Sequence, residues 1–96
     1  MLQAKYTWEI LKRFRMEDCK PAPTPMETGV KLSANDEEKP VDGTLFRQLV
    51  GSLIYLTTTR PDIIFAVGVV SRHTTSPKQS HWIVAKRILR YLRGTL

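Results

Sequence analysis

The chain has 96 residues, enough for one small domain,. Its apolar share of 42% and charged share of 25% lie in the ordinary globular range, and the single Cys19 excludes an intramolecular disulfide,. The formal charge of +6 is placed unevenly: residues 1–62 carry nine bases and nine acids, whereas residues 63–96 carry Arg72, Lys78, Lys86, Arg87, Arg90 and Arg93 and no acid. A segment of one sign favours a polyanion partner, such as nucleic acid or an anionic membrane surface, with a solvated helix face as the plainer alternative.

The start shows no signal-peptide core, and the longest apolar run, Ile63 to Val70, falls far short of the ~20 residues needed to cross a bilayer,. An intracellular chain, in cytoplasm or nucleus and without a membrane partner, is the expectation. Tyr6, Ile10 and Phe14 recur at helical spacing, with Trp8 and Leu11 beside them, which predicts a helix over roughly Lys5 to Met16,. Lys12, Arg13 and Arg15 suit the negative end of its dipole.

Proline at every second position in Lys20-Pro21-Ala22-Pro23-Thr24-Pro25 forbids helix and favours extended chain,. The composition stays polar to about Val41, so residues 19–41 read as a linker, extended over a surface or mobile. Asp42 is placed to cap the next helix, in which Leu45, Leu49, Leu53 and Leu56 repeat,. The small pair Gly51-Ser52 would let another helix approach. Thr57-Thr58-Thr59 weakens the helix end, and Pro61 suits a first helical position. Ile63 to Arg72 is apolar almost all round, which predicts a central buried helix, with a strand competing because Val67, Val69 and Val70 are β-branched,. Ser76-Pro77 reads as the cap and start of a last helix and Gly94 as its stop,. Trp82, Ala85, Leu89 and Leu92 mark its apolar side. The expected fold is mainly α: a small bundle of about four helices with a long Pro-rich, polar linker. The expected organisation is a helical segment to residue 18, the linker over 19–41 and a bundle over 42–96.

Chemistry is harder to find. Polymerases hold two Mg²⁺ ions on carboxylates from adjacent strands. The acids here stand at helix ends or in the linker, with no strand–turn–strand setting around them. His73 and His81 are separated by a helix break and have one cysteine in the whole chain to join them, which argues against zinc,. No nucleophile elbow or phosphate loop is present, so no catalytic residue, cofactor, metal or small-molecule ligand is expected. The remaining candidate is the last helix. Lys78, Lys86, Arg87, Arg90 and Arg93 could contact phosphates, giving affinity without sequence information,. Trp82 and Tyr91 could stack on bases, though core packing is the simpler role for Trp82.

Four strings stand out: Gln3 to Phe14 is similar to "QxKYxxxILxxF", and Met16 to Pro21 with Thr24 to Met26 is similar to "MxDCKPxxTPM". Phe46 to Ile63 matches a stretch ending in Thr-Arg-Pro-Asp-Ile, and His81-Trp82 with Ala85 to Thr95 matches "HWxAAKRxLRYLKGT". Together these strings resemble copia-type retrotransposon Pol polyproteins. In that family an aspartate-bearing "YVDD" strand pair precedes this region and an RNase H domain follows it. The resemblance therefore implies the thumb and connection portion of a reverse transcriptase, an RNA-directed DNA polymerase. It would grip an RNA–DNA hybrid beside the palm and RNase H segments, without carrying the polymerase carboxylates itself. A second resemblance is to oomycete secreted effectors, through the RxLR string Arg90-Tyr91-Leu92-Arg93; it implies an interaction protein acting in a host cell or its nucleus. That string is expected before an acidic one, whereas Asp36-Glu37-Glu38 precedes it here. A truncated reading frame with no independent function is the third alternative.

Overall fold

In the computed structural model, residues 2–27 and 39–96 are described. Among them are four helices, α1 (Leu2–Arg13), α2 (Gly43–Leu56), α3 (Ile64–Ser71) and α4 (Gln79–Gly94), with a 3-10 turn at Pro61–Ile63 leading into α3. The mainly helical bundle of about four helices expected from the sequence is what forms. The part of the Pro-rich segment that is described, residues 19–27, contains neither helix nor strand. The rest of the expected linker, 28–38, lies outside the described residues.

The core follows from the apolar stripes. Ile10 and Leu11 of α1, Phe46, Leu49, Leu53 and Leu56 of α2, and Ala85, Ile88, Leu89 and Leu92 of α4 are buried together. Each large aliphatic side chain so buried contributes roughly 1.5–3 kcal/mol relative to exposure. Helix ends account for the boundaries. Asp42 caps α2, its Oδ1 accepting from the N–H groups of Thr44 (2.9 Å) and Leu45 (3.3 Å),. At the far end, the hydroxyls of Thr57 and Thr58 donate to the carbonyls of Ile54 and Tyr55, so the threonines close the helix rather than extend it,.

α1 stops earlier than its periodicity suggests. Arg15 takes a left-handed conformation (φ 57°), its N–H donates to the Lys12 carbonyl, and the Met16 N–H reaches back to the Leu11 carbonyl at 2.7 Å. This is a Schellman cap with arginine at the position glycine usually fills, and the turn buries Met16 against the core,. α4 begins two residues after Ser76-Pro77. That dipeptide is held extended because residues 39–41 pair with 77–79: the Val41 N–H donates to the Pro77 carbonyl and the Gln79 N–H to the Lys39 carbonyl. Lys78 is therefore the N-cap residue.

α3 departs most from expectation. It is a helix, which removes the strand alternative, but it is not central. Ala66, Val67 and Val70 face inward, while Ile64 is 53% and Phe65 77% exposed. An eight-residue helix on one side of a small bundle can bury only one face, whatever the composition of the other,. Gly51 also differs from its expected role. A Cβ added there would meet nothing within 4 Å, and the close-packed small residue is its neighbour Ser52.

Two substitutions should therefore stabilise the chain. Arg15→Gly relieves the left-handed strain, and Gly51→Ala adds helix propensity without a clash; each is expected to gain about 1 kcal/mol in urea unfolding.

Candidate nucleic-acid interface

The basic side of α4 is set by spacing. Lys86, Arg90 and Arg93 stand at i, i+4 and i+7, one face of the helix, with Arg87 beside them,. Ala85, Ile88, Leu89 and Leu92 fix the opposite face in the core. Across the arginines runs the chain that follows α1. Arg93 Nε donates to the Glu17 carbonyl (2.8 Å), Arg90 Nε donates to the Lys20 carbonyl (2.8 Å), and the Ala22 N–H returns a bond to the Arg90 carbonyl (3.3 Å). Arg87 binds this strap with both terminal nitrogens: Nη2 donates to Thr24 Oγ1 (3.1 Å), and Nη1 pairs with Glu27 at 3.3 Å. Its Nε is buried without a partner among the described residues.

The strap is seated closely. Ala22 is buried, and a Cβ on Gly94 would come within 2.9 Å of Pro21 Cβ. Gly94 lies inside α4 as its last residue, so its requirement is room for the crossing strap rather than a turn. The five expected contact residues thus divide. Arg87 is committed to the strap. Arg90 and Arg93 use Nε on carbonyls, and among the described residues no hydrogen bond engages their terminal nitrogens. Lys78 and Lys86 enter no ion pair with a described residue.

The aromatic candidates are placed elsewhere in the packing. Trp82 lies between Phe14 and Phe46, with ring centroids 6.1 and 6.5 Å away. Tyr91 donates its hydroxyl to Asp62 Oδ2 at 2.6 Å, so neither presents a free ring face as its main role. The exposed aromatic next to the basic face is Trp8, 40% exposed, with the Arg93 guanidinium 5.4 Å from its ring centroid,. Trp8 falls two residues off the Tyr6–Ile10–Phe14 stripe, which was the available signal that it points away from the core.

Below Tyr91 a polar clasp ties the end of α4 to the turn before α3. Arg60 pairs with Asp62 at 2.8 Å and donates to Thr95 Oγ1 at 2.7 Å. The guanidinium of Arg60 holds the Asp62 carboxyl down to about 2, with the Tyr91 hydroxyl adding to the effect against the cost of burial. The same contact raises Tyr91. The RxLR string lies inside this packed helix: Leu92 is wholly buried, Tyr91 is bonded to Asp62, and both arginines hold the strap.

Asp42 caps α2, Asp62 serves the clasp and Glu27 pairs with Arg87, and among the described residues no group of three acids, histidines or cysteines could hold a metal ion,. No helix among the described residues is long and apolar enough to cross a membrane.

Fold and site together define a small helical module whose distinguishing surface is cationic and crossed by its own strap. Over nearly its whole length the chain is similar to transposon polyproteins. It is 45% identical to the retrovirus-related Pol polyprotein from transposon RE2 of Arabidopsis thaliana over 93 residues, which are 97% of this chain and 6% of that one. It is 44% identical to the corresponding polyprotein from transposon TNT 1-94 of Nicotiana tabacum over 100 residues, 97% of this chain and 8% of that one. The chain is thus homologous to one segment of copia-type Pol polyproteins and spans less than a tenth of their length. A shorter match, 49% over 47 residues, covers 48% of this chain and 33% of the secreted RxLR effector protein 161 of Plasmopara viticola. No protein-family model and no solved structure matches.

Two outcomes test this geometry. Gly94→Ala should cost about 1–3 kcal/mol through collision with Pro21, and Pro21→Gly in the same chain should recover part of it in denaturant unfolding. Because Asp62 is depressed, its contribution is present above its ordinary value of 3.8 and is lost as pH falls through about 2,. Melting temperature should fall over that window, and Asp62→Asn should flatten the fall.

Proposed function

We propose that this chain is a thumb-and-connection portion of a reverse transcriptase that does no chemistry itself and contacts the backbone of an RNA–DNA hybrid. The observation that carries the reading is the division of labour on α4. Among the described residues Arg90 and Arg93 hold the strap through Nε, which keeps their forked terminal donors available for phosphate oxygens,. Lys78 and Lys86 extend the same basic run, and no acid occurs between Ile63 and Leu96 to oppose it. Arg87 supports the surface by fixing the strap and adding to the field rather than by touching phosphate. Trp8 beside Arg93 gives a ring face next to the proposed backbone track,.

The outer face of the bundle supports the same reading. Ile64 and Phe65 of α3 and Ile54 and Tyr55 of α2 are large, apolar and about half exposed or more. Adjacent palm and RNase H segments of a longer polyprotein would cover such side chains.

Binding to an RNA–DNA hybrid should weaken steeply with salt. Four phosphate contacts give a slope of roughly −3 to −4 in log K against log salt. Lys78→Gln with Lys86→Gln should reduce that slope by about 2 without lowering stability, whereas Arg87→Ala should lower stability and leave the slope nearly unchanged. A salt-independent affinity, or a slope untouched by the double lysine variant, overturns the reading.

A further inference from the structure

The strap sets one hydroxyl on the arginine side of α4. Thr24 is exposed, in the stretch that forms neither helix nor strand. Its Oγ1 accepts from Arg87 Nη2 at 3.1 Å and donates to the Met26 carbonyl at 3.1 Å. Met26 and Arg87 also line a cavity of about 140 Å³, together with Glu27 and Arg90. Two guanidinium groups therefore border the space next to this hydroxyl. The acid beside them, Glu27, has a side chain 67% exposed and can swing outward into water.

Pro25 follows Thr24 and is only half-buried. Protein kinases that select a hydroxyl residue followed by proline take an extended chain, the conformation proline presets. The chain holds a second such dipeptide, Ser76-Pro77, but there the proline is buried and its carbonyl accepts the Val41 N–H. Its backbone is engaged in the pairing that starts α4, whereas Thr24 is held through its side chain.

We propose that Thr24 is a phosphorylation site for a proline-directed protein kinase, and that Arg87 with Arg90 receives the phosphate and locks the strap onto α4. In the transfer Thr24 Oγ1 bonds to the γ-phosphorus of ATP, the bond to the β–γ bridging oxygen breaks, and ADP leaves. The hydroxyl proton passes to the catalytic aspartate of the kinase. The product carries a charge of about −1.5 to −2 and three acceptor oxygens. It gives up the bond to the Met26 carbonyl, because the ester oxygen has no proton to donate. In exchange it accepts from paired guanidinium donors, the stronger kind of bond. Arg87 is already directed at this oxygen, so its capture of the phosphate needs little reorientation. The kinase takes the strap when Thr24 lifts from Arg87, a local opening that leaves the helices in place. The site goes beyond the nucleic-acid reading and does not rest on it, since Arg87 is the arginine that reading keeps off the phosphates.

The test begins with the full chain, ATP and a purified mitogen-activated protein kinase. Mass spectrometry should place one phosphate on Thr24 and leave Ser76 unmodified, and Thr24→Val should take up none. Absence of phosphate on Thr24, or a preference for Ser76, overturns the site. Phosphorus NMR then follows the second ionisation of the phosphothreonine, in the folded chain and in the same chain unfolded in urea. Neighbouring cations favour the dianion, so the folded value should lie lower by about half a unit to one unit. Arg87→Gln should remove most of that difference. Equal values in the folded and unfolded chains, or a difference that Arg87→Gln leaves intact, overturn the receiving arginines. Should Arg87→Gln fail to fold, Arg90→Gln takes its place. A difference that survives it unchanged has the same consequence.

Discussion

Everything in this chain depends on α4 being used on both sides. One side carries Ala85, Ile88, Leu89 and Leu92 into the core, where all three other helices meet it. The other side carries arginines that bind backbone carbonyls of the strap. A small domain has too little interior to order a proline-rich segment by burial alone. Here the ordering comes from charge-assisted bonds to its carbonyls, which are stronger than neutral ones, and from Arg87 on the Thr24 and Glu27 side chains,. Proline, with no N–H to donate, loses nothing in such an arrangement, because the strap is mainly an acceptor. The small residues complete it, Ala22 fitting beneath the surface and Gly94 leaving room for Pro21.

The helices were legible in the sequence because their apolar spacing is regular, and Asp42 and Pro61 marked real starts. What escaped was set by contacts distant along the chain. Nothing near Ser76-Pro77 signals that residues 39–41 will pair with 77–79 and delay α4 to Gln79. Nor does the local sequence show that Arg15 will adopt φ 57° to end α1, since arginine is an unfavourable residue for that position. The composition of α3 suggested a central helix because apolar on all sides ordinarily means buried on all sides. The bundle has no fifth helix among the described residues to lay over Ile64 and Phe65.

The basic surface was legible as a charge pattern but not as a set of contacts. Counting bases treats five residues as equal, whereas the structure gives them three situations among the described residues: committed in Arg87, half committed in Arg90 and Arg93, and without an ion pair in Lys78 and Lys86. The aromatic partner changed in the same way. Trp82 and Tyr91 share a helix with the arginines, yet the Trp82 ring packs with Phe14 and Phe46, and Tyr91 has Asp62 on its hydroxyl and Arg60 over its ring. Trp8 reaches Arg93 from a helix more than seventy residues earlier.

A carbonyl oxygen and a phosphate oxygen ask the same thing of an arginine, a donor at hydrogen-bond distance, but they differ in charge and in geometry. The single lone-pair contact of each strap carbonyl is satisfied by Nε, on the inner edge of the guanidinium. A phosphate accepts from two donors in parallel, which suits the terminal pair. Strap and polyanion therefore need not compete for Arg90 and Arg93. Holding each guanidinium by Nε instead fixes its plane, so that less side-chain freedom is lost when an anion arrives. Lysine in place of either arginine could serve the strap or the phosphate with its one nitrogen, but could not hold both in this fixed relation. On this view the strap is part of the cationic surface rather than a cover over it.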